Sequence, residues 1–439
     1  MPEYSLREQR GWYVYDWANS AFYTTVVTLF LGPYLTLLAK NAADPQGFVY
    51  PLGIQTSALS LWPYMVSLAV LLQVFVLPLF GAIADHSPHK KELLGLLAFV
   101  GAGATVAMFA LDGTRYLLGC FLFLIANSAF GASIVVYNSF LPEITPPEQR
   151  DNVSSKGWGL GYVGGGILLV ANLALYAKAE SLGLSQNMAV RISLASAGLW
   201  WAGFTLVPMA TLVNRKPTKV IPPGESYLTA SIKQLANTIK EIFTLPQTLR
   251  FLLAYLIYND AIQTIITLAA QFGQEELKLP VESLTVAILI AQFVGVAGAL
   301  GFNWIAARTG NKTAVMFTLV IYCLVLVYAY AFVSSAAEFY VMSGAIGAVM
   351  GGSQALSRSI FSFMIPTGHE AEYFSIYEIS DKGTSWLGPL FFGLALQFTG
   401  NYRISILSLI LFFIVGLAIL STVDVKRAAV EAGNEPPKK

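Results

Sequence analysis

The sequence predicts an all-α membrane protein with twelve transmembrane helices in two six-helix pseudo-repeat bundles. Three observations predict it: charge is scarce, apolar runs of membrane length recur twelve times, and polar residues of the second half echo those of the first. Of 439 residues, 12% are charged and 56% hydrophobic, with a mean hydropathy of +0.62, whereas a soluble domain carries about 25% charged residues. A water-soluble core of this size needs polar surface to cover it. Stretches such as Leu59 to Ala84 and Ile404 to Leu420 contain no Asp, Glu, Lys or Arg, so their solvent is lipid. A net charge of +1 provides no basic excess for holding nucleic acid. Cys120 and Cys323 sit inside apolar runs, where they read as small packing residues rather than metal ligands or a disulfide framework.

Taken in order, runs of about 20 apolar residues, enough to cross roughly 30 Å of hydrocarbon, fall near 12–38, 58–83, 92–111, 116–140, 157–177 and 189–212. Six more fall near 248–272, 282–306, 313–333, 338–364, 384–399 and 403–423. The first ten residues are polar and the run after them is too long for a signal-peptide core, so the first span is expected to stay in the mature chain. The organisation that follows is a bundle over 1–212, a linker over 213–247, a second bundle over 248–423 and a tail over 424–439. Within the linker, Leu228, Ile232, Leu235, Ile239 and Ile242 recur at helical spacing, the pattern of an amphipathic helix lying at a membrane surface. Of the 26 Lys and Arg, 19 fall on the side that holds the N-terminus, 6 fall opposite, and Arg358 lies within a span. By the positive-inside rule both termini and the linker face the cytoplasm.

The echo between halves rests on polar residues inside spans. Asp16, Asn19 and Ser20 form D-x-x-N-S in span 1, and Asp260, Gln263 and Thr264 repeat the spacing in span 7. Pro142 ahead of Ser155-Lys156-Gly157 is matched by Pro366 ahead of Asp381-Lys382-Gly383. Asp16 stands six residues beyond Arg10 and Asp260 ten beyond Arg250, so the two carboxylates are expected at different depths.

An ionisable side chain at a helix centre costs at least about 2.5 kcal/mol unless it is paired or hydrated, which makes it a functional candidate. Asp16, Asp260 and Arg358 are those candidates. Asn259, Gln263, Thr264 and Thr267 give Asp260 a polar face that is expected to line water or substrate. The candidate substrate or ion pathway is therefore Asp16, Asn19, Asn138, Asp260, Gln263 and Thr264. Arg358 and Tyr137 are gate candidates: at about 1.5 Å per residue Arg358 and Asp16 both stand roughly 9 Å inside the same boundary, which suggests that Arg358 pairs with Asp16 or with the Tyr137-Asn138 region.

Gly157, Gly161 and Gly165 recur every four residues, and Gly347 and Gly351 do likewise; both stripes predict close helix packing. The literal G-x-G-x-x-G at 159–164 is not a dinucleotide fingerprint, because that motif needs a preceding strand and a soluble βαβ unit. His86, His89 and His369 lack the partners of H-E-x-x-H, and no nucleophile and base share a recognisable motif, so an enzyme is not expected and no cofactor is called for. Two N-x-[ST] sequons, at Asn152 and Asn311, fall in loops expected to be cytoplasmic.

After span 2, Gly81, Asp85, Lys90 and Lys91 resemble the helix-loop motif of major facilitator transporters, although Ser87, Pro88 and His89 replace its usual glycine and arginine. Six plus six repeated helices are typical of the same superfamily. Tyr15 to Phe22, Tyr137 to Pro142, Gly157 to Tyr162, Gln354 to Ser359 and Gly383 to Pro389 resemble its vacuolar amino-acid effluxer branch, autophagy-related in fungi and widespread in bacteria. That resemblance spans nearly the whole chain. It implies export of small solutes, with amino acids as the substrate class of fungal members. No nucleotide-binding cassette is visible in the sequence, so a gradient is the expected energy source, and the expected activity is that of a secondary transporter using alternating access and a coupling proton or cation. It implies a bacterial inner membrane or a fungal vacuolar membrane as the location. The alternative is a membrane sensor or scaffold that keeps the transporter fold without turnover.

Overall fold

Nearly every described residue is helical, because an apolar chain in lipid must satisfy its backbone donors and acceptors within its own segment. The computed structural model describes residues 5–144, 150–215, 242–365 and 385–434, with 229, 233, 240 and 377 singly. Most of the linker, including the expected amphipathic helix, lies outside the described residues, as do Pro366 and Asp381-Lys382-Gly383. The chain separates into two compact units, Met1–Lys233 and Gln234–Lys439.

The first unit contains span 1 (Leu6–Ala21, Phe22–Phe30, Leu31–Ala42), span 2 (Leu61–His86), span 3 (Lys90–Ala107, Met108–Ala110), span 4 (Tyr116–Asn138), span 5 (Arg150–Ala177) and span 6 (Gln186–Thr211). The second contains span 7 (Pro246–Glu275), span 8 (Val281–Thr309), span 9 (Asn311–Ala331), span 10 (Ala336–Phe363), span 11 (Leu387–Thr399) and span 12 (Tyr402–Ser408, Ile410–Ser421). Among the described residues nine helices are long and apolar enough to cross a membrane. The other three are spans 8 and 11, whose described apolar stretches are shorter, and span 10, whose Gly, Ser and Gln residues between Phe339 and Ser357 lower its hydropathy. The molecule is thus an all-α membrane protein with two sets of six spans.

Local chemistry accounts for several boundaries. Ser335 and Glu338 form a reciprocal capping box that starts span 10. Asn401 accepts the Arg403 and Ile404 N–H groups at the start of span 12, and Gly400, at φ 64°, closes span 11 in the left-handed conformation that glycine adopts at little cost. Span 1 departs from the sequence expectation of a plain α-helix, since Phe22–Phe30 is a π-helix. Thr24 donates to Ser20 O four residues back, whereas Thr28 donates to Tyr23 O five residues back. Wide turns of this kind concentrate at functional sites.

Within the first unit, span 1 packs on spans 5 and 6, and span 3 on spans 4 and 6; within the second, span 8 packs on span 10, span 7 on span 12, and span 9 on spans 10 and 12. Each unit is bolted at the end opposite its first helix's start by an arginine at the beginning of its sixth span. Arg191 donates to Phe109 O (2.7 Å), pairs with Asp112 (3.1 Å) and lies over the Phe109 ring. Arg403 donates to Glu276 (2.6 Å), to Tyr330 O (3.0 Å) and to Val333 O (2.6 Å). In both units the guanidinium satisfies carbonyls that the third span leaves open at its C-terminus. Arg403→Ala should cost about 2 kcal/mol, since hydrogen bonds to a charged, partly buried group are among the stronger ones. A lowered melting temperature of the purified protein checks this; an unchanged one would make Arg403 an ordinary surface charge.

The tail also has structure. Asp424 caps a short helix, Val425–Glu431, in which Ala428 and Ala429 are fully buried, and Asn434 donates to Phe363 O and Ile365 O at the end of span 10.

Candidate functional site

The repeated polar motif is a packing unit as well as a chemical one. In the first unit, Asp16 and Ser20 lie one helical turn apart and meet the glycine face of span 5. A Cβ on Gly157 would stand 2.6 Å from Asp16 Oδ2, one on Gly161 2.6 Å from the Ser20 hydroxyl, and one on Gly165 3.0 Å from Thr24. A Cβ on Gly164, outside the four-residue series, would stand 2.7 Å from Trp17 O. The expected stripe therefore forms, and G-x-G-x-x-G is part of a helix-helix contact. In the second unit Gly388 of span 11 takes the same place: a Cβ there would meet the Thr264 hydroxyl and stand 2.9 Å from Asp260 Oδ1. Asp260 and Thr264 correspond to Asp16 and Ser20, and each pair faces a glycine of its unit's fifth span.

The carboxylates differ in what holds them. Tyr137, in span 4, donates its hydroxyl to Asp16 Oδ2 at 2.8 Å. Its ring stacks on Trp12 at 4.3 Å, and the Trp12 indole donates to Tyr137 O. Asp16 is half-buried, whereas Trp12, Tyr15 and Tyr137 are buried. Asp260 is only 1% exposed. Its Oδ2 accepts the backbone N–H of Gly388 at 2.9 Å, in the first turn of span 11, where the unsatisfied N–H groups and helix dipole favour negative charge. Its Oδ1 has no hydrogen-bond partner among the described residues. Such a buried oxygen is incomplete until a proton, a cation or a ligand donor reaches it.

Around Asp260, Asn259 and Thr264 are buried, Thr267 is 9% exposed and Gln263 is half-buried. The Thr264 hydroxyl donates to Asp260 O, and the Thr267 hydroxyl to Gln263 O. Tyr258 and Ser357 of span 10 share a hydrogen bond of 2.5 Å, so spans 7 and 10 are joined beside the candidate site as spans 1 and 4 are joined by Asp16 and Tyr137. Arg358 follows Ser357 and is exposed. Asn19 is buried and donates to Tyr15 O within its own helix, while Asn138 is exposed at the end of span 4.

The helix-loop motif resolves into packing and ion pairing. Gly81 faces Val135 of span 4, and the Asp85 side chain lies outside what is described. Lys90 is buried, with Nζ 2.6 Å from Glu143, and the Lys91 N–H donates to Asn214. Arg215 makes a two-pronged contact with Glu8 (2.9 and 2.8 Å) and stands 3.8 Å from Glu143. Lys90 of the helix-loop motif and Arg215, counted in the sequence only as a loop cation, thus tie the start of spans 1 and 3 to the segments after spans 4 and 6. Glu8 and Glu143 carried no motif that singled them out. The Tyr258–Ser357 bond and the role of Gly388 were likewise not foreseen. A signal was present for Gly388, since it lies in Gly383 to Pro389, one of the stretches that carry the family resemblance.

The chain matches the family model described as vacuole effluxer Atg22 like over residues 5–433. It is 32% identical to the MFS-type transporter YxiO of Bacillus subtilis, with 95% of each chain covered. It is 25% identical to Autophagy-related protein 22-1 of Aspergillus niger, over 98% of this chain and 90% of that one. Among solved structures it resembles a mutant form of the nucleoside transporter NupG (TM-score 0.68, 14% identity, 97% of this chain and 99% of that one). It resembles a D-xylose-proton symporter to the same degree (TM-score 0.68, 12% identity, 96% and 98%). At such identities the structural likeness establishes the fold alone, which is the major facilitator fold.

Proposed function

Because this chain belongs to the vacuole effluxer Atg22-like family, we propose that it is a secondary transporter that exports a small solute, with amino acids as the substrate class, by alternating access driven by a proton or cation gradient. The observation that carries this reading is Asp260, a carboxylate 1% exposed inside span 7 with one oxygen bound to Gly388 N–H and the other open. A charge at that depth is costly to keep without work for it to do. Asp260 with Gln263 and Thr264 takes the coupling proton or cation, or the ammonium of the solute. Asp16 and Asn19 form the corresponding polar face in span 1, and Arg358 offers a charge for a carboxylate. The effluxer name of the family model and of the fungal relatives supports the direction and the substrate class.

A thermal-shift screen of purified protein against the amino acids tests the substrate class. A ligand that binds the folded state alone at 100 times its Kd stabilises by about 2.7 kcal/mol, so at least one amino acid should raise the melting temperature. No shift with any of them, alongside shifts with another solute class, would move the assignment to that class.

Orientation is a further expected outcome. The excess of Lys and Arg on the side of the N-terminus supports a cytoplasmic position for both termini. A fluorescent protein fused after Lys439 should glow and a periplasm-active phosphatase there should be silent; the reverse pattern would overturn the topology.

A further inference from the structure

Between Ala42 and Leu61 the chain forms a small hairpin whose exterior is the reverse of what water selects. Strands β1 (Phe48–Val49) and β2 (Thr56–Ser57) pair antiparallel, Phe48 with Ser57 and Val49 with Thr56. The base is firmly built. Asp44 accepts the N–H groups of Gln46 (3.0 Å) and Phe48 (2.8 Å) and the Tyr50 hydroxyl (2.7 Å), and Ala58 N–H donates to Gly47 O. The Phe48 N–H foremost, and then the Tyr50 hydroxyl, hold the Asp44 carboxyl below its ordinary range. Val49, Thr56 and Ala58 are buried, whereas at the tip Leu52 is 98% exposed, Ile54 66% and Tyr50 50%.

Leu52 also stands at φ 53°, a left-handed backbone position that suits glycine or asparagine and that L side chains with more bulk adopt at a cost. With Leu52 98% exposed, no packing among the described residues compensates it. Asp44 is the only charged residue from 43 to 60, and its oxygens are engaged within the hairpin. The tip is ten residues from the end of span 1 and nine from the start of span 2, so the buried base keeps it near the level of the helix ends. Aliphatic side chains beside a tyrosine, at that level and without charge, match the boundary between headgroups and acyl chains.

We propose that the Tyr50–Ile54 tip is a membrane foot that seats Leu52 and Ile54 in the interfacial layer of the leaflet at the far end of span 1, with the phospholipid bilayer as its partner.

Cysteine placed at Ile54, in a chain with Cys120→Ser and Cys323→Ser, can be labelled with an environment-sensitive fluorophore and reconstituted into phosphatidylcholine vesicles. Spin-labelled lipid with its probe near the headgroup should quench this label at least about twofold more than aqueous iodide does, as an interfacial residue requires. A label at Gln46, on the hydrated shoulder, should show the opposite preference. Leu52→Asp should shift the label at 54 toward iodide, whereas Leu52→Asn, which suits the same backbone, should shift it less. Iodide-dominated quenching at 54 in the otherwise native hairpin would overturn the proposal by placing the tip in water. A label reached by neither quencher would also overturn it, by showing that protein covers the tip.

Discussion

Asp260→Asn is expected to lower gradient-driven flux by more than about tenfold while leaving the protein folded. The substitution is close to isosteric, and its amide oxygen can still accept the Gly388 N–H that Asp260 Oδ2 accepts at 2.9 Å. The hold on the first turn of span 11 therefore survives in outline. What is lost is the charge and the ability to take up a proton or bind a cation at Oδ1, the oxygen that has no partner among the described residues. A purely structural carboxylate would behave differently: its replacement by a neutral group of the same shape would relieve an uncompensated buried charge and leave transport untouched. Flux in sealed liposomes and melting temperature, measured on one preparation, separate the two. Loss of flux at native stability assigns Asp260 to the transport cycle, and wild-type flux removes it. The matching change in the first unit, Asp16→Asn, retains an acceptor for the Tyr137 hydroxyl and acts on a half-buried group, so its stability should change little.

Gly347→Leu should prevent the second unit from folding. Spans 8 and 10 approach so closely that a Cβ on Gly347 would meet Ala291 O and stand 2.8 Å from Ala291 Cα; reciprocally, a Cβ on Gly298 would stand 2.6 Å from the Ala348 carbonyl carbon. The obstructing atoms are backbone on both sides, so no rotamer change can make room. Overpacking a well-filled interior already costs about 1–3 kcal/mol where side chains can yield, and here the helices themselves must part. The expected readout is aggregation or loss of a monodisperse peak on size exclusion. Gly344→Leu, in the same helix, is the comparison. A Cβ on Gly344 would meet only the Ile290 side chain, at 3.6 Å, so Gly344→Leu should be the milder of the two.

Glycine spacing and tertiary contacts together show how far periodicity reaches. All twelve apolar runs correspond to helices whose ends fall within a few residues of the expected limits, apart from span 1, which begins earlier, at Leu6, and span 5, which begins at Arg150. Spacing identified the face of Gly157, Gly161 and Gly165 because one helix periodicity decides it. It did not decide the partner of Asp260, because Gly388 is 128 residues away and only tertiary packing brings span 11 against span 7. The π-helix was equally hidden, since Phe22–Phe30 is an unbroken apolar and threonine-rich run whose turn width depends on what packs beside it. Arg191 and Arg403 were visible only as minority charges on one side of the membrane. Their shared position at the start of a sixth span becomes meaningful once the open carbonyls at the end of each third span are in place.

Counterflow measures directly whether this chain carries solute across a membrane. Purified protein in sealed liposomes loaded with a high concentration of an amino acid that raises its melting temperature should take up trace external radiolabel of the same compound above its equilibrium level, transiently, and only when protein is present. Binding of that compound without any counterflow, in vesicles shown to be sealed and with protein shown to be folded, would contradict the account and leave a sensor or scaffold that has kept the transporter fold.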